Sequence, residues 1–169
     1  VLVLNPPGPD RAYISRDLMG GMGQKSDFGR GSLSNMVSTL KGRLVRVPVM
    51  QLVYAASLLK KNGFDVRVID AINDDRELGD ILPEIGKFAP DYVVMAVSSS
   101  AIIFERDEVA KAIKGVVPGA KIVTVGNTLL YLPNELKPPF DIGTFSEVET
   151  SILEICRGKD PSKIPNTIY

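Results

Sequence analysis

With 169 residues, 44% of them apolar, the chain has material for one hydrophobic core and reads as one domain. Twenty basic and twenty acidic side chains cancel, so no global field marks a nucleic-acid or anionic-membrane binder, and the lack of any histidine excludes histidine-centred triads and histidine metal sites. One cysteine, Cys156, excludes an internal disulfide, a four-cysteine zinc site and a three-cysteine iron–sulfur cradle; with no leader-like or membrane-length apolar run at its start, the chain is expected to be cytoplasmic and soluble.

Val1 to Leu4 is an unbroken apolar run ended by Asn5-Pro6-Pro7-Gly8, the pattern of a central strand buried on both faces. A loop over 6–47 follows, rich in glycine and serine and far longer than an ordinary connection. Pro48 is expected to open a helix whose buried face carries Val49, Leu52, Val53, Ala56 and Leu59, closed by Lys60, Lys61 and Gly63. Asp65 to Asp70 alternates as a strand, and a helix is expected from about Arg76 to Phe88. Tyr92 to Val97 is a continuous apolar strand. Glu105, Asp107 and Glu108 then stand at the start of a helix whose Lys111 and Lys114 lie toward its end, matching the macrodipole, with Ala110, Ile113 and Val117 as its buried stripe. Lys121 to Val125 gives a fourth strand, Phe140 to Gly143 a short fifth, and Glu147 to Cys156 a last helix.

Strands alternating with crossover helices imply a parallel sheet covered on both faces. The expected fold is therefore α/β, a flavodoxin-like (Rossmann-like) three-layer α/β/α sandwich with a five-stranded parallel sheet in the order 2-1-3-4-5. The domain is expected to span 1–158. Residues 159–169, with Pro161 and Pro165, read as an extended linker or docking strand.

In such a sheet, ligands sit beyond the carboxyl ends of the strands. The candidate residues there are Asn5, Pro6 and Pro7, then Ser98, Ser99 and Ser100, then Gly126, Asn127 and Thr128, and finally Glu147 and Glu149. Each has a plainer reading beside the functional one. A serine caps the next helix, Gly126 and Asn127 (the latter tolerant of a left-handed backbone) make a tight turn, and Glu147 and Glu149 cap and complement the last helix. No residue in this set is assigned to catalysis or to a metal.

The long loop contains no nucleotide signature. In Gly20-Gly21-Met22-Gly23-Gln24-Lys25-Ser26, Gln24 replaces the glycine that a phosphate-binding loop requires, and after Gly29-Arg30-Gly31 the third glycine position of a dinucleotide fingerprint holds Ser34. Its seven cations, Arg11, Arg16, Lys25, Arg30, Lys41, Arg43 and Arg46, exceed its three aspartates by four charges. They read either as a face for an anionic group or as a solvated charge run.

Taken in order, Val1-Leu2-Val3-Leu4-Asn5-Pro6-Pro7, Lys60-Lys61-Asn62-Gly63-Phe64-Asp65-Val66, Val68-Ile69-Asp70-Ala71, Pro90-Asp91-Tyr92-Val93-Val94 before a serine-rich loop, Pro118-Gly119-Ala120-Lys121-Ile122-Val123, Leu132-Pro133-Asn134-Glu135-Leu136 and Gly158-Lys159-Asp160-Pro161 to Ile164-Pro165 resemble the amino-terminal cobalamin-binding domains of cobalamin-dependent radical S-adenosylmethionine enzymes. The resemblance implies a cobalamin (B12) lying over the strand ends among the candidate loops, without a protein histidine beneath its cobalt. It also implies a covalently linked radical S-adenosylmethionine domain, absent from this sequence, that holds the [4Fe–4S] cluster and S-adenosylmethionine and carries out methyl transfer or rearrangement. On that reading this chain alone catalyses nothing, its small-molecule partner is the cofactor, 159–169 leads toward the missing domain, and neither nucleic acid nor membrane is a partner.

The sequence departs from the family at two loops. Gly126-Asn127-Thr128 keeps only the first of two glycines and lacks the histidine that often follows, and Ser146 and Val148 replace both glycines of a Gly-Glu-Gly-Glu pattern, which narrows the approach for a wide ring. The alternative function is a same-fold scaffold that has lost cobalamin and serves as a substrate lid or partner surface. A phosphotransfer receiver is disfavoured, because Asn5 and Pro6 stand where an acidic pair would be needed.

Overall fold

The computed structural model describes residues 1–9, 48–99 and 101–169. Ser100 and the glycine-rich, cationic part of the long loop fall outside them.

Six strands form one sheet: β1 (Leu2–Asn5), β2 (Arg67–Asp70), β3 (Tyr92–Ala96), β4 (Lys121–Val125), β5 (Ile142–Thr144) and β6 (Thr167–Ile168), in the order β2-β1-β3-β4-β5-β6. The first five are parallel in the expected order 2-1-3-4-5. The expected count of five is corrected to six, because the tail folds back and β6 pairs antiparallel with β5, Gly143 opposite Ile168 and Thr144 opposite Thr167. The Thr167 hydroxyl lies 2.8 Å from the carbonyl oxygens of Pro161 and Ile164, and Ile164 is buried.

Alternation along the strands sends successive side chains to opposite faces, so each face needs its own helical layer. Leu2, Leu4, Ile69, Val93, Met95 and Ile122 pack against α2 (Leu78–Phe88) and α3, a continuous helical segment made of Ile102–Phe104, a π-helical turn Glu105–Ala110, and Lys111–Val116. Val3, Val94, Ala96, Val123 and Val125 pack against α1 (Met50–Lys61) and α5 (Val148–Cys156). A short helix, α4 (Thr128–Tyr131), follows β4. The core thus has two halves separated by the sheet, the three-layer sandwich expected from the sequence.

Local chemistry explains where these helices start and stop. Pro48 does not open α1: it precedes the N-cap residue Val49, and the helix closes at Asn62 and at Gly63, whose φ of +84° suits a residue without Cβ. At the start of α2, the Glu77 side chain accepts from the Asp80 amide while Asp80 accepts from the Glu77 amide at 2.8 Å, a reciprocal capping box. No helix among the described residues is long and apolar enough to cross a membrane.

Candidate functional site

After β1 the chain adds a strand on one side, and β3 then joins β1 on the other, so strand order reverses between β1 and β3. The crevice at the carboxyl ends of those two strands is where a doubly wound sheet accepts ligands. Asn5-Pro6-Pro7 leaves β1 at this point and all three residues are buried, whereas Ser98, just beyond β3, is buried and Ser99 is exposed.

Asn5 and Asp70 are register partners at the ends of β1 and β2. The Asn5 amide donates from Nδ2 to Asp70 Oδ1 at 2.6 Å, and Asn73 donates to the same carboxylate from its backbone N–H at 3.2 Å and from Nδ2 to Oδ2 at 2.7 Å. Because Nδ2 is committed to the carboxylate, the Asn5 carbonyl oxygen faces away from it, and this oxygen is buried without a hydrogen-bond partner.

The serine loop is fixed from within. Ser98 donates from its backbone N–H to Glu105 Oε2 at 2.9 Å and from its hydroxyl to Glu105 Oε1 at 3.3 Å. Glu105 is fully buried. Ala101 is the N-cap residue of α3 and its side chain makes no capping hydrogen bond; Ser98 braces the loop, and a capping role for Ser100 lies outside the described residues. One expectation is corrected here: Glu105 is not in the first turn, because the helix begins three residues earlier and the carboxylate is buried. The neighbouring Arg106 is bound by both oxygens of Asp107, at 2.7 and 2.9 Å, and by Glu135, which ties α3 to the segment after β4 and holds the guanidinium firmly charged.

Beyond β4, Gly126 has a φ of +145°, and a Cβ placed there would lie 2.8 Å from the backbone oxygen of Val97. The glycine is therefore required by close approach of two rim loops, not by a turn alone. Asn127, which tolerates a left-handed backbone, is right-handed (φ −71°); the left-handed non-glycine residue of this pair of loops is Ser146, at φ +62°. Asn127 Oδ1 accepts from the Ser146 N–H at 3.1 Å, and Gln51 at the start of α1 donates to the Ser146 oxygen at 3.3 Å. Thr128 is the first residue of α4 and half-buried. Glu147 is exposed at the N-cap of α5 and its side chain makes no capping hydrogen bond, correcting the capping assignment, while Glu149 lies in the helix's first turn, where the macrodipole favours it.

The fold thus gathers Asn5, Pro6, Pro7, Ser98, Ser99, Gly126, Asn127, Thr128, Glu147 and Glu149 along one edge of the sheet. Ser146, in the loop before Glu147, belongs to the same edge, as do Asp70, Asn73, Gln51 and Glu105, which the sequence does not single out. Asp70 was legible as the polar end of an alternating strand, but nothing in Glu-Arg-Asp-Glu announces that its first carboxylate is buried. Among the described residues no group of three or more histidine, cysteine, aspartate or glutamate side chains is arranged to hold a metal ion.

Cys156 is buried in the α1/α5 layer, and desolvation pushes its thiol up to about 12. It is a core residue, not a nucleophile. The native chain is expected to resist iodoacetamide at pH 8 and to be alkylated stoichiometrically in 6 M guanidinium, as intact-mass measurement would register. Rapid native labelling would mean that α5 opens.

No family model matches the chain, and no curated protein matches it. The chain is similar to a solved structure of the radical S-adenosylmethionine methyltransferase TsrM from Kitasatospora setae, with tryptophan substrate and an S-adenosylmethionine analogue bound. The match has a TM-score of 0.56 at 20% identity, covering 68% of this chain and 25% of that one. It is a likeness of fold, and this chain spans about a quarter of that enzyme's length.

Proposed function

We propose that this chain is the cobalamin-binding module of a radical S-adenosylmethionine enzyme, its chemistry completed by a catalytic domain outside this sequence. The observation that carries the reading is the rim at the β1/β3 reversal: a buried amide oxygen at Asn5, a serine loop braced by Glu105, and a glycine at 126 that keeps the backbone bare where two loops meet. The likeness of fold to a radical S-adenosylmethionine methyltransferase supports it.

The residues present fit a large neutral macrocycle with polar edges. Acceptors and hydroxyls, rather than cations, line the described part of the rim. Having no histidine, the chain supplies no imidazole to cobalt. When bound, cobalamin supplies a metal that carries a methyl group or electrons. The chain's own part is to seat the ring: Asn5 and Ser98 flank the crevice, and Gly126, Asn127 and Glu147 border it. The fold also serves a scaffold that seats no cofactor, and one observation favours that second reading: Ile103 on α3 and Leu130, Tyr131 and Leu132 after β4 leave large apolar surface exposed on two rim segments tied by Arg106 and Glu135.

Titration with hydroxocobalamin, followed by absorbance and by calorimetry, separates the two. Saturable one-to-one binding in the micromolar range or tighter is expected. Absence of saturation, with the downstream catalytic domain restored as well as without it, rejects the cofactor and leaves the partner surface.

A further inference from the structure

Among the described residues, two buried side-chain polar atoms have no hydrogen-bond partner, Asn5 Oδ1 and Gln51 Oε1. Both are carboxamide oxygens. Their orientations are set by what the other half of each amide does: Asn5 gives Nδ2 to Asp70 and Gln51 gives Nε2 to the Ser146 carbonyl oxygen. Flipping either amide would set an oxygen against an oxygen, so in both cases the acceptor is the half left over.

The two residues also stand at the same edge of the sheet. Asn5 follows Val3 by two residues and therefore lies on the face of the sheet that α1 and α5 cover, and Gln51 is in the first turn of α1. Both stand at the carboxyl edge of the sheet, the one beside the Asp70 carboxylate and the other beside the loop after β5. Native structures rarely leave buried acceptors unmatched. Two at one edge, with no unmatched buried donor among the described side chains, indicate a partner that donates.

We infer that Asn5 and Gln51 form an acceptor pair that takes N–H donors from the ligand's edge, selecting primary carboxamides and rejecting carboxylates. This rests on the cobalamin reading, since the corrin ring carries primary carboxamides around its periphery. An ionised acid at either position would face a carbonyl oxygen, and at Asn5 the Asp70 carboxylate as well, with no proton to offer. Asn5 and Gln51 therefore determine which corrinoids are accepted, a role separate from attachment of the nucleotide tail.

The test compares corrinoids matched at cobalt: dicyanocobinamide, which keeps the ring carboxamides and lacks the nucleotide, and dicyanocobyrinic acid, in which carboxylates replace them, with hydroxocobalamin as reference. The chain is expected to bind the cobinamide at least tenfold more tightly than the acid. Gln51→Met is expected to weaken cobinamide binding about fivefold, the loss of one hydrogen bond, and to leave the acid unchanged, so the preference narrows. A packing role alone would weaken both ligands alike. Equal affinities in the parent chain, or parallel losses in the variant, overturn the inference while hydroxocobalamin binding keeps the functional reading intact. Failure of all three to bind, with the downstream catalytic domain restored as well as without it, overturns both.

Discussion

Gly126→Ala is expected to destabilise the chain by about 2–5 kcal/mol, because it combines an unfavourable backbone region with a steric conflict that no rotamer relieves. The atom in the way is the Val97 backbone oxygen, 2.8 Å from where Cβ would sit, and Val97 is held in turn by its N–H bond to Val125 at 3.0 Å. Relief requires β3 and β4 to part at their carboxyl ends, where Ser98 begins. The control is Gly63→Ala: φ is +84° there but nothing lies within 4 Å of the new methyl group, so only conformational strain of about 1–2 kcal/mol is expected. Urea denaturation of the two variants measures the difference. A Gly126→Ala midpoint equal to that of Gly63→Ala would show that the two rim loops are not in contact in solution.

The second large effect is expected at Glu105. Glu105→Ala removes the acceptor for the Ser98 N–H and for its hydroxyl, and empties the space of a fully buried side chain, a combined loss of about 3–5 kcal/mol. Glu105→Gln keeps the volume and one oxygen acceptor, and about half that loss is expected. Stability alone does not distinguish a braced loop from an ordinary core defect, so the informative signal is amide exchange at Ser98. Its N–H is expected to be protected in the parent chain, weakly protected in Glu105→Gln and unprotected in Glu105→Ala under native conditions. Exchange at Ser98 that ignores both substitutions would remove Glu105 from the site.

The sequence carried the five parallel strands because each is a short apolar or alternating run, and four of them are closed by a distinctive break: Asn5-Pro6, Asp70, Ser98 and Gly126. Buried strands and amphipathic helices are selected by burial along the whole element, and such patterns survive error in any one position. What escaped depends on single contacts. β6 is two residues long and owes its existence to backbone pairing with β5, which has no side-chain signature. α3 begins at Ile102, three residues before the charged run, so Glu105 is buried although Glu105-Arg106-Asp107-Glu108 reads by composition as a helix start. Ser146 occupies the left-handed region although it is neither glycine nor asparagine, held there between Asn127 and Gln51, and only tertiary structure reveals that brace. The described loop positions nominated from the sequence fall on one edge because topology alone puts them there; their partners, Asp70, Asn73, Gln51 and Glu105, came from geometry.

The reversal of direction at β6 bears on how the molecule avoids its own kind. A parallel sheet ending at β5 would present a free ladder of donors and acceptors to any extended peptide, the usual seed of intermolecular fibre growth. Two residues running the opposite way, Thr167 and Ile168, occupy that ladder and are too few to template another strand, so this flank of the molecule is proofed against polymerisation.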